Sequence, residues 1–227
     1  MAATPSVLVF DVNETLIDIN SMAPLFERIF GDPRAMREWF SHLVTYSMTA
    51  TLAGRYVDFF TLGQGLLRML AHIRGVDITD DDVRALRHDM LTMPAHPDVK
   101  DGLIALRNNG FHLVTLTNSP PNPDGPTPLE YAGLAHLFER QFSVDTYRAF
   151  KPAPAVYQGV CRELQVAPAD CMMVAAHAWD TIGAQAAGFG AALITRPGNS
   201  PLPVDELPQP TFIAADLAQL AQQLCKS

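Results

Sequence analysis

The sequence predicts an α/β fold, a doubly wound and mostly parallel sheet interrupted by an inserted helical domain, on three observations. A short β-branched and aromatic run near the start ends at an acidic residue, a long stretch of helical spacing without strand candidates follows, and strands then alternate with helices.

Ser6 to Val12 (SVLVFDV) reads as a buried strand with Asp11 at its carboxyl end. From Ser21 to about Leu91 apolar residues recur at helical spacing: Met22 to Ile29, Met36 to Met48, Phe59 to Ile73 and Val83 to Leu91. Gly31-Asp32-Pro33, Gly54 and Gly75-Val76-Asp77 separate them, so three or four helices are expected. Two prolines in Met93-Pro94-Ala95-His96-Pro97 close the module, and a domain crossover is expected there. Next come helix Asp98 to Asn108, strand Phe111 to Thr117, helix Pro128 to Leu137 and strand Gln141 to Asp145. Helix Pro152 to Leu164, strand Cys171 to Ala175, helix Asp180 to Ala187 and strand Ala191 to Thr195 complete the alternation. Asn118 to Pro128 and Pro197 to Pro210 read as surface loops.

The 227 residues are 48% hydrophobic, enough to bury a substantial core. Sixteen basic against 24 acidic residues give a formal charge of −8 with no compensating basic cluster, which argues against a nucleic-acid or anionic-membrane partner. No apolar run approaches a bilayer span and the first residues lack a signal pattern, so a cytoplasmic protein is expected. Cys161, Cys171 and Cys225 form no CxxC pair, which speaks against a disulfide framework or structural zinc.

Four polar clusters fall just past four predicted strands: Asp11 with Asn13 and Thr15, Thr117-Asn118-Ser119, Lys151, and His177 with Asp180. In a doubly wound sheet those ends converge on one crevice. A carboxylate there is a workable nucleophile when a nearby cation keeps it ionised, and Lys151 is the candidate cation.

Asp11-Val12-Asn13-Glu14-Thr15-Leu16, Leu116-Thr117-Asn118-Ser119, Lys151-Pro152 with Tyr157, and Ala176-His177-Ala178-Trp179-Asp180 resemble, in order, the four motifs of the haloacid dehalogenase superfamily. Within it the sequence is similar to the 2-haloacid dehalogenase (type II) branch. The resemblance implies a Rossmann-like core over residues 1–15 and 96–227, a helical cap over 16–95, Asp11 as nucleophile under the cap, and a homodimer.

The departures select the chemistry. Phosphatases of the superfamily carry a general-acid Asp where Asn13 stands, and Asn13 has no carboxyl proton to give a leaving alkoxide. They also hold magnesium with two acidic residues in the fourth motif, where Ala176 replaces the first and Asp180 alone remains. Halide leaves without protonation or metal, so no cofactor and no metal are expected. The branch's cap arginine, which receives the halide, corresponds to Phe40, with Arg55, His42 or Trp39 as substitutes. Its serine and asparagine in the fourth motif are Ala176 and His177 here, and its serine in the second is Thr117.

The expected reaction converts a small 2-haloacid to the 2-hydroxy acid and halide through an aspartyl ester on Asp11. Lys151 balances charge, Asp180 orients Lys151 or activates water, His177 is the other candidate activator, and Thr15 stands beside them in the catalytic set. Thr117 and Asn118 hold the substrate carboxylate, and Asn13, Tyr157, Phe40 and Trp179 complete the substrate pocket. Each residue also has a plainer reading: Asp11 and Asp180 as caps, Lys151 solvated, Thr117 in a local turn, Tyr157 and Phe40 in the core, His177 structural. A phosphatase of a small metabolite and a non-catalytic binding relic are the rival functions.

Overall fold

A computed structural model describes residues 5–225. The first strand, β1 (Val7–Phe10), is fully buried, as expected of a strand covered on both faces. The chain leaves it through the Asp11 loop into four helices: α1 (Ala23–Phe30), α2 (Ala35–Leu52), α3 (Phe59–Arg74) and α4 (Asp80–Thr92). Their boundaries follow local chemistry. Gly31 and Gly75 take left-handed φ of 67° and 65° to stop α1 and α3, and Thr79 with Asp82 forms a capping box that starts α4 at the Asp80-Asp81-Asp82 run.

The outgoing and returning chains lie side by side where this insertion meets the rest of the protein. Ile17 bridges Ala95, Asp18 N donates to Pro94 O at 2.8 Å, and His96 N donates to Leu16 O at 3.0 Å. The chain then runs α5 (Val99–Asn108), β2 (His112–Thr117), a short α6 (Pro128–Tyr131), β3 (Arg140–Ser143) and α7 (Pro154–Leu164). It ends with β4 (Cys171–Ala175), α8 (Ala178–Ala186), β5 (Gly190–Ile194), β6 (Phe212–Ala214) and α9 (Leu217–Leu224).

All strand pairs are parallel and the order is β3-β2-β1-β4-β5-β6, so β1 is central and the topology switches beside it. Phe10 is level with Thr115 on one side and Val174 on the other. Asp11, the end of β2 and the end of β4 therefore emerge together.

Several boundaries differ from the sequence expectation. The stretch expected to be one helix from Pro128 to Leu137 breaks into α6 and a 3-10 turn at Ala135–Leu137, because Gly133 adopts φ 69° between them. The third strand stops at Ser143, where a 3-10 turn over Val144–Tyr147 takes over. β6 and α9 were not expected. Ile213 on β6 is 47% exposed at the sheet edge, so the strand carries little hydrophobic pattern to read. Among the described residues, no helix is long and apolar enough to cross a membrane.

Candidate active site

Asp11 leaves the sheet directly, its N donating to Val174 O at 3.0 Å, and is only 4% exposed. Thr15 Oγ1 donates to Asp11 Oδ2 at 2.6 Å and itself accepts from Ala176 N at 2.8 Å. Thr15 thus fixes the carboxylate to the start of the fourth motif.

Lys151 is fully buried, and its Nζ donates to Asp11 Oδ1 at 2.7 Å, Asp180 Oδ2 at 2.6 Å and Leu116 O at 2.9 Å. All three ammonium protons are used. Burial pushes the Asp11 carboxyl up, yet Lys151 and His177 outweigh that and hold it well below the usual carboxylate range. Burial likewise opposes the Lys151 charge, and Asp11 with Asp180 more than offsets it, so Lys151 is held protonated. Asp180 moves upward through burial and the Asp11 charge, against the pull of Lys151.

Asp180 offers no face to water. It is fully buried, with Oδ2 on Lys151 and Oδ1 accepting from Tyr157 OH at 2.7 Å. Of the two expected roles of Asp180, these contacts leave no free oxygen for activating water and match the one that orients Lys151. Tyr157, expected at the substrate, is also fully buried, and its hydroxyl serves Asp180. Thr117 Oγ1 accepts from Ser119 N at 3.1 Å, closing a local turn beside a small cavity of about 110 Å³. Asn118 Oδ1 accepts from Lys151 N at 3.2 Å, and its Nδ2 makes no hydrogen bond to the described residues. Asn13 Nδ2 donates to Ser119 Oγ at 3.1 Å.

The sequence did not single out Glu14. This buried residue has φ 70°, a left-handed backbone unusual outside glycine and a common mark of functional loops. His96 Nε2 donates to its carbonyl at 3.0 Å, and Glu14 N donates to Ile17 O at 2.9 Å, which pins the conformation. The side chain thereby meets His177: Nε2 lies 2.8 Å from Glu14 Oε2, and Nδ1 lies 3.6 Å from Asp11 Oδ2 with no hydrogen-bond partner. The other Glu14 oxygen is bound by Arg37 of α2. Burial opposes the imidazolium, but Asp11 and Glu14 together raise His177 to about 9. Glu14 is lowered, because His177 and Arg37 overcome its burial.

Trp179 stacks on the His177 ring at 5.0 Å and Phe40 of α2 lies 5.8 Å from it. These groups, with Glu14 and Arg37, line a cavity of about 540 Å³ between α2 and the strand ends. The substitutes expected for a cap arginine lie elsewhere. Arg55 is exposed, His42 packs on Tyr46 at 6.3 Å, and Trp39 is buried with its Nε1 donating to Gly63 O at 2.9 Å. Behind the loop, buried Arg196 binds Thr15 O through Nε and Nη2 and pairs with Asp98. Arg196 escaped the sequence reading because its partners lie far away in the chain.

The superfamily's magnesium does not fit these donors. An ammonium already bridges the two carboxylates that would face it, Ala176 supplies no ligand, and no group of three or more His, Cys, Asp or Glu among the described residues is arranged to hold a metal.

Comparison with known proteins agrees with this geometry. The family of haloacid dehalogenase-like hydrolases matches residues 5–188. The chain is 31% identical over 220 residues to (S)-2-haloacid dehalogenase 1 of Pseudomonas sp. (strain CBS-3), covering 96% of each. Among solved structures, an L-2-haloacid dehalogenase superposes with TM-score 0.88 at 29% identity, over 98% of this chain and 99% of that one. A dehalogenase solved with an intermediate complex gives TM-score 0.88 at 25% identity over 100% of both. With its carboxylate at the tip of the central strand and its helical insertion above it, the chain belongs to the haloacid dehalogenase-like hydrolases.

Proposed function

We propose that the protein is a hydrolytic dehalogenase that converts small 2-haloacids to 2-hydroxy acids through an ester on Asp11. The observation that carries this reading is the Lys151 ammonium, 2.7 Å from Asp11 and 2.6 Å from Asp180, which keeps a buried carboxylate ionised beside an imidazole–carboxylate pair.

Asp11 displaces halide from C2 in line, and the C–halogen electron pair leaves with the halide. The substrate carboxylate is held by Asn118 Nδ2 and the backbone of the Thr117 turn. Loss of the Asp11 charge on alkylation lowers the basicity of His177, which releases its proton to solvent. Neutral His177, its Nε2–H fixed on Glu14, then takes a proton from water through Nδ1. The hydroxide adds to the Asp11 carbonyl, and collapse expels the 2-alkoxide. The proton ends on His177 when that alkoxide is protonated and Asp11 recharges. Asn13 and Phe40 remain contacts of the substrate or the departing halide, and Trp179 stacks on the base.

Halide release from a haloacid panel, with Asp11→Asn as control, tests the reading. Single turnover in ¹⁸O water should label Asp11 and leave the hydroxy acid unlabelled; label in the product first would exclude the ester. The proposal extends to a cytoplasmic homodimer, which sedimentation at several concentrations would reveal.

A further inference from the structure

Helix α2 lies across the mouth of the cavity and is tied to the rest of the protein near both ends. Thr51 Oγ1 accepts from Phe150 N at 2.9 Å, and Tyr56, just beyond the helix, donates to Asp145 Oδ1 at 3.0 Å. At the other end, about 21 Å away along the helix, Arg37 reaches down. Its Nη1 binds Glu14 Oε1, and its Nη2 donates to Asn20 Oδ1 at 2.8 Å and Pro197 O at 3.2 Å. Phe40, between the two ties, faces His177.

Arg37 therefore touches the outer oxygen of the same carboxylate whose inner oxygen holds His177. The two ends of that contact differ in freedom: the Glu14 side chain is 3% exposed, whereas that of Arg37 is 35% exposed. The guanidinium is thus reached by water while the carboxylate is enclosed. Resting on the reading of Glu14 and His177 as the water-activating pair, we propose that Arg37 is a positioning residue for ester hydrolysis. From α2, at the mouth of the cavity, its guanidinium binds the outer oxygen of Glu14 and holds the inner oxygen against His177.

The electrostatic consequence can be read from the groups that face the pair. Asp11 and Lys151 lie on one side of His177, with Asp180 behind Lys151. His96 sits on the Glu14 backbone, and Arg37 is the cation contributed by α2. Without Arg37 the full Glu14 charge acts on His177 and holds its proton harder, so the acid limb of ester hydrolysis moves to higher pH.

The test is single turnover of a 2-chloro acid by wild type, Arg37→Met, Arg37→Lys and Glu14→Gln. Halide release and the Asp11 ester are followed by rapid quench and intact mass. Arg37→Met should slow ester decay ~10-fold more than halide release and raise the acid limb by about half a pH unit to one unit. Arg37→Lys, which keeps the charge, should return the limb to its wild-type position. Equal slowing of both steps, or an unmoved limb in Arg37→Met, overturns the proposal. Glu14→Gln separates the causes. If it accumulates ester while Arg37→Met does not, the Arg37 role alone fails; if Glu14→Gln accumulates none, the activating pair itself is wrong.

Discussion

Ester formation should eject a proton together with the halide, before any hydroxy acid appears. His177 Nδ1 lies 3.6 Å from Asp11 Oδ2, and the ring is held protonated, at about 9, by Asp11 and Glu14. At that separation and an effective dielectric near 20, the Asp11 charge contributes roughly 4–5 kcal/mol to retaining the proton, so alkylation eases its release by ~10³-fold. Hydrolysis then restores the Asp11 charge, and the proton taken from water stays on His177. The whole net proton of the reaction thus belongs to the first step. A weakly buffered single turnover at neutral pH, with indicator, halide and product quench traces overlaid, reads this directly. Glu14→Gln should widen the gap between the phases. In His177→Gln, slow hydrolysis should release its proton with the hydroxy acid instead. A wild-type proton trace that follows product rather than halide refutes the reasoning.

Lys151→Met should abolish halide release and cost about 3–5 kcal/mol in denaturant unfolding, since it leaves two buried carboxylates without their shared cation. Gly183→Ala should impair activity although Gly183 carries no chemistry. A Cβ there would stand 2.4 Å from Pro152 Cβ and 2.8 Å from Tyr157 Oη, pushing on the segment that aims Lys151; an unchanged rate would contradict that account. The folded pKa of His177 is raised from 6.5 to about 9, so its stabilising contribution is complete below about 6.5 and lost as pH rises to 9. Denaturant melts should lose roughly 3 kcal/mol at most across that window, and His177→Gln should flatten the loss. Glu14→Gln combined with His177→Gln should destabilise less than the sum of the singles, because each single removes one half of the same buried pair and leaves the other with only its second partner, Asp11 or Arg37; simple additivity in a double-mutant cycle would refute that coupling.

The ends of β1, β2 and β4 were legible because each is a buried apolar run with polar residues at or within two positions of its end, whereas Lys151 stands eight residues beyond β3. Asp11, Lys151, His177 and Asp180 could be placed in one crevice from these positions. Their division of labour could not. The sequence left Asp180 between orienting Lys151 and activating water, and only the occupation of both its oxygens by Tyr157 and Lys151 favours the first. Glu14 reaches His177, 163 residues away, only because a left-handed backbone aims it there. Arg37 and Arg196 lie outside the motifs, and nothing in their local sequence distinguishes them from ordinary surface cations. The C-terminal β6 and α9 were missed for another reason: a three-residue edge strand after a proline-rich loop carries too few positions to show a period.

The replacement of a cap arginine by Phe40 looks like a loss until the charges of the whole site are counted. Asp11, Glu14 and Asp180 face Lys151, His177 and Arg37, three acids against three bases in an environment where an unpaired charge is costly. Lys151 and His177 flank Asp11 at 2.7 Å and 3.6 Å, and both Trp179 and Phe40 lie against the His177 ring. A fixed arginine at position 40 would set a permanent charge against that imidazolium and disfavour its protonation. A cap arginine keeps its charge through both steps, whereas the imidazolium loses its charge when Asp11 is esterified. On the proposed mechanism, the same event that creates the halide therefore frees the nitrogen that must receive a proton from water. Phe40 sets an apolar ring 5.8 Å from the imidazole, so, among the described residues, the one guanidinium that acts on His177 does so through Glu14.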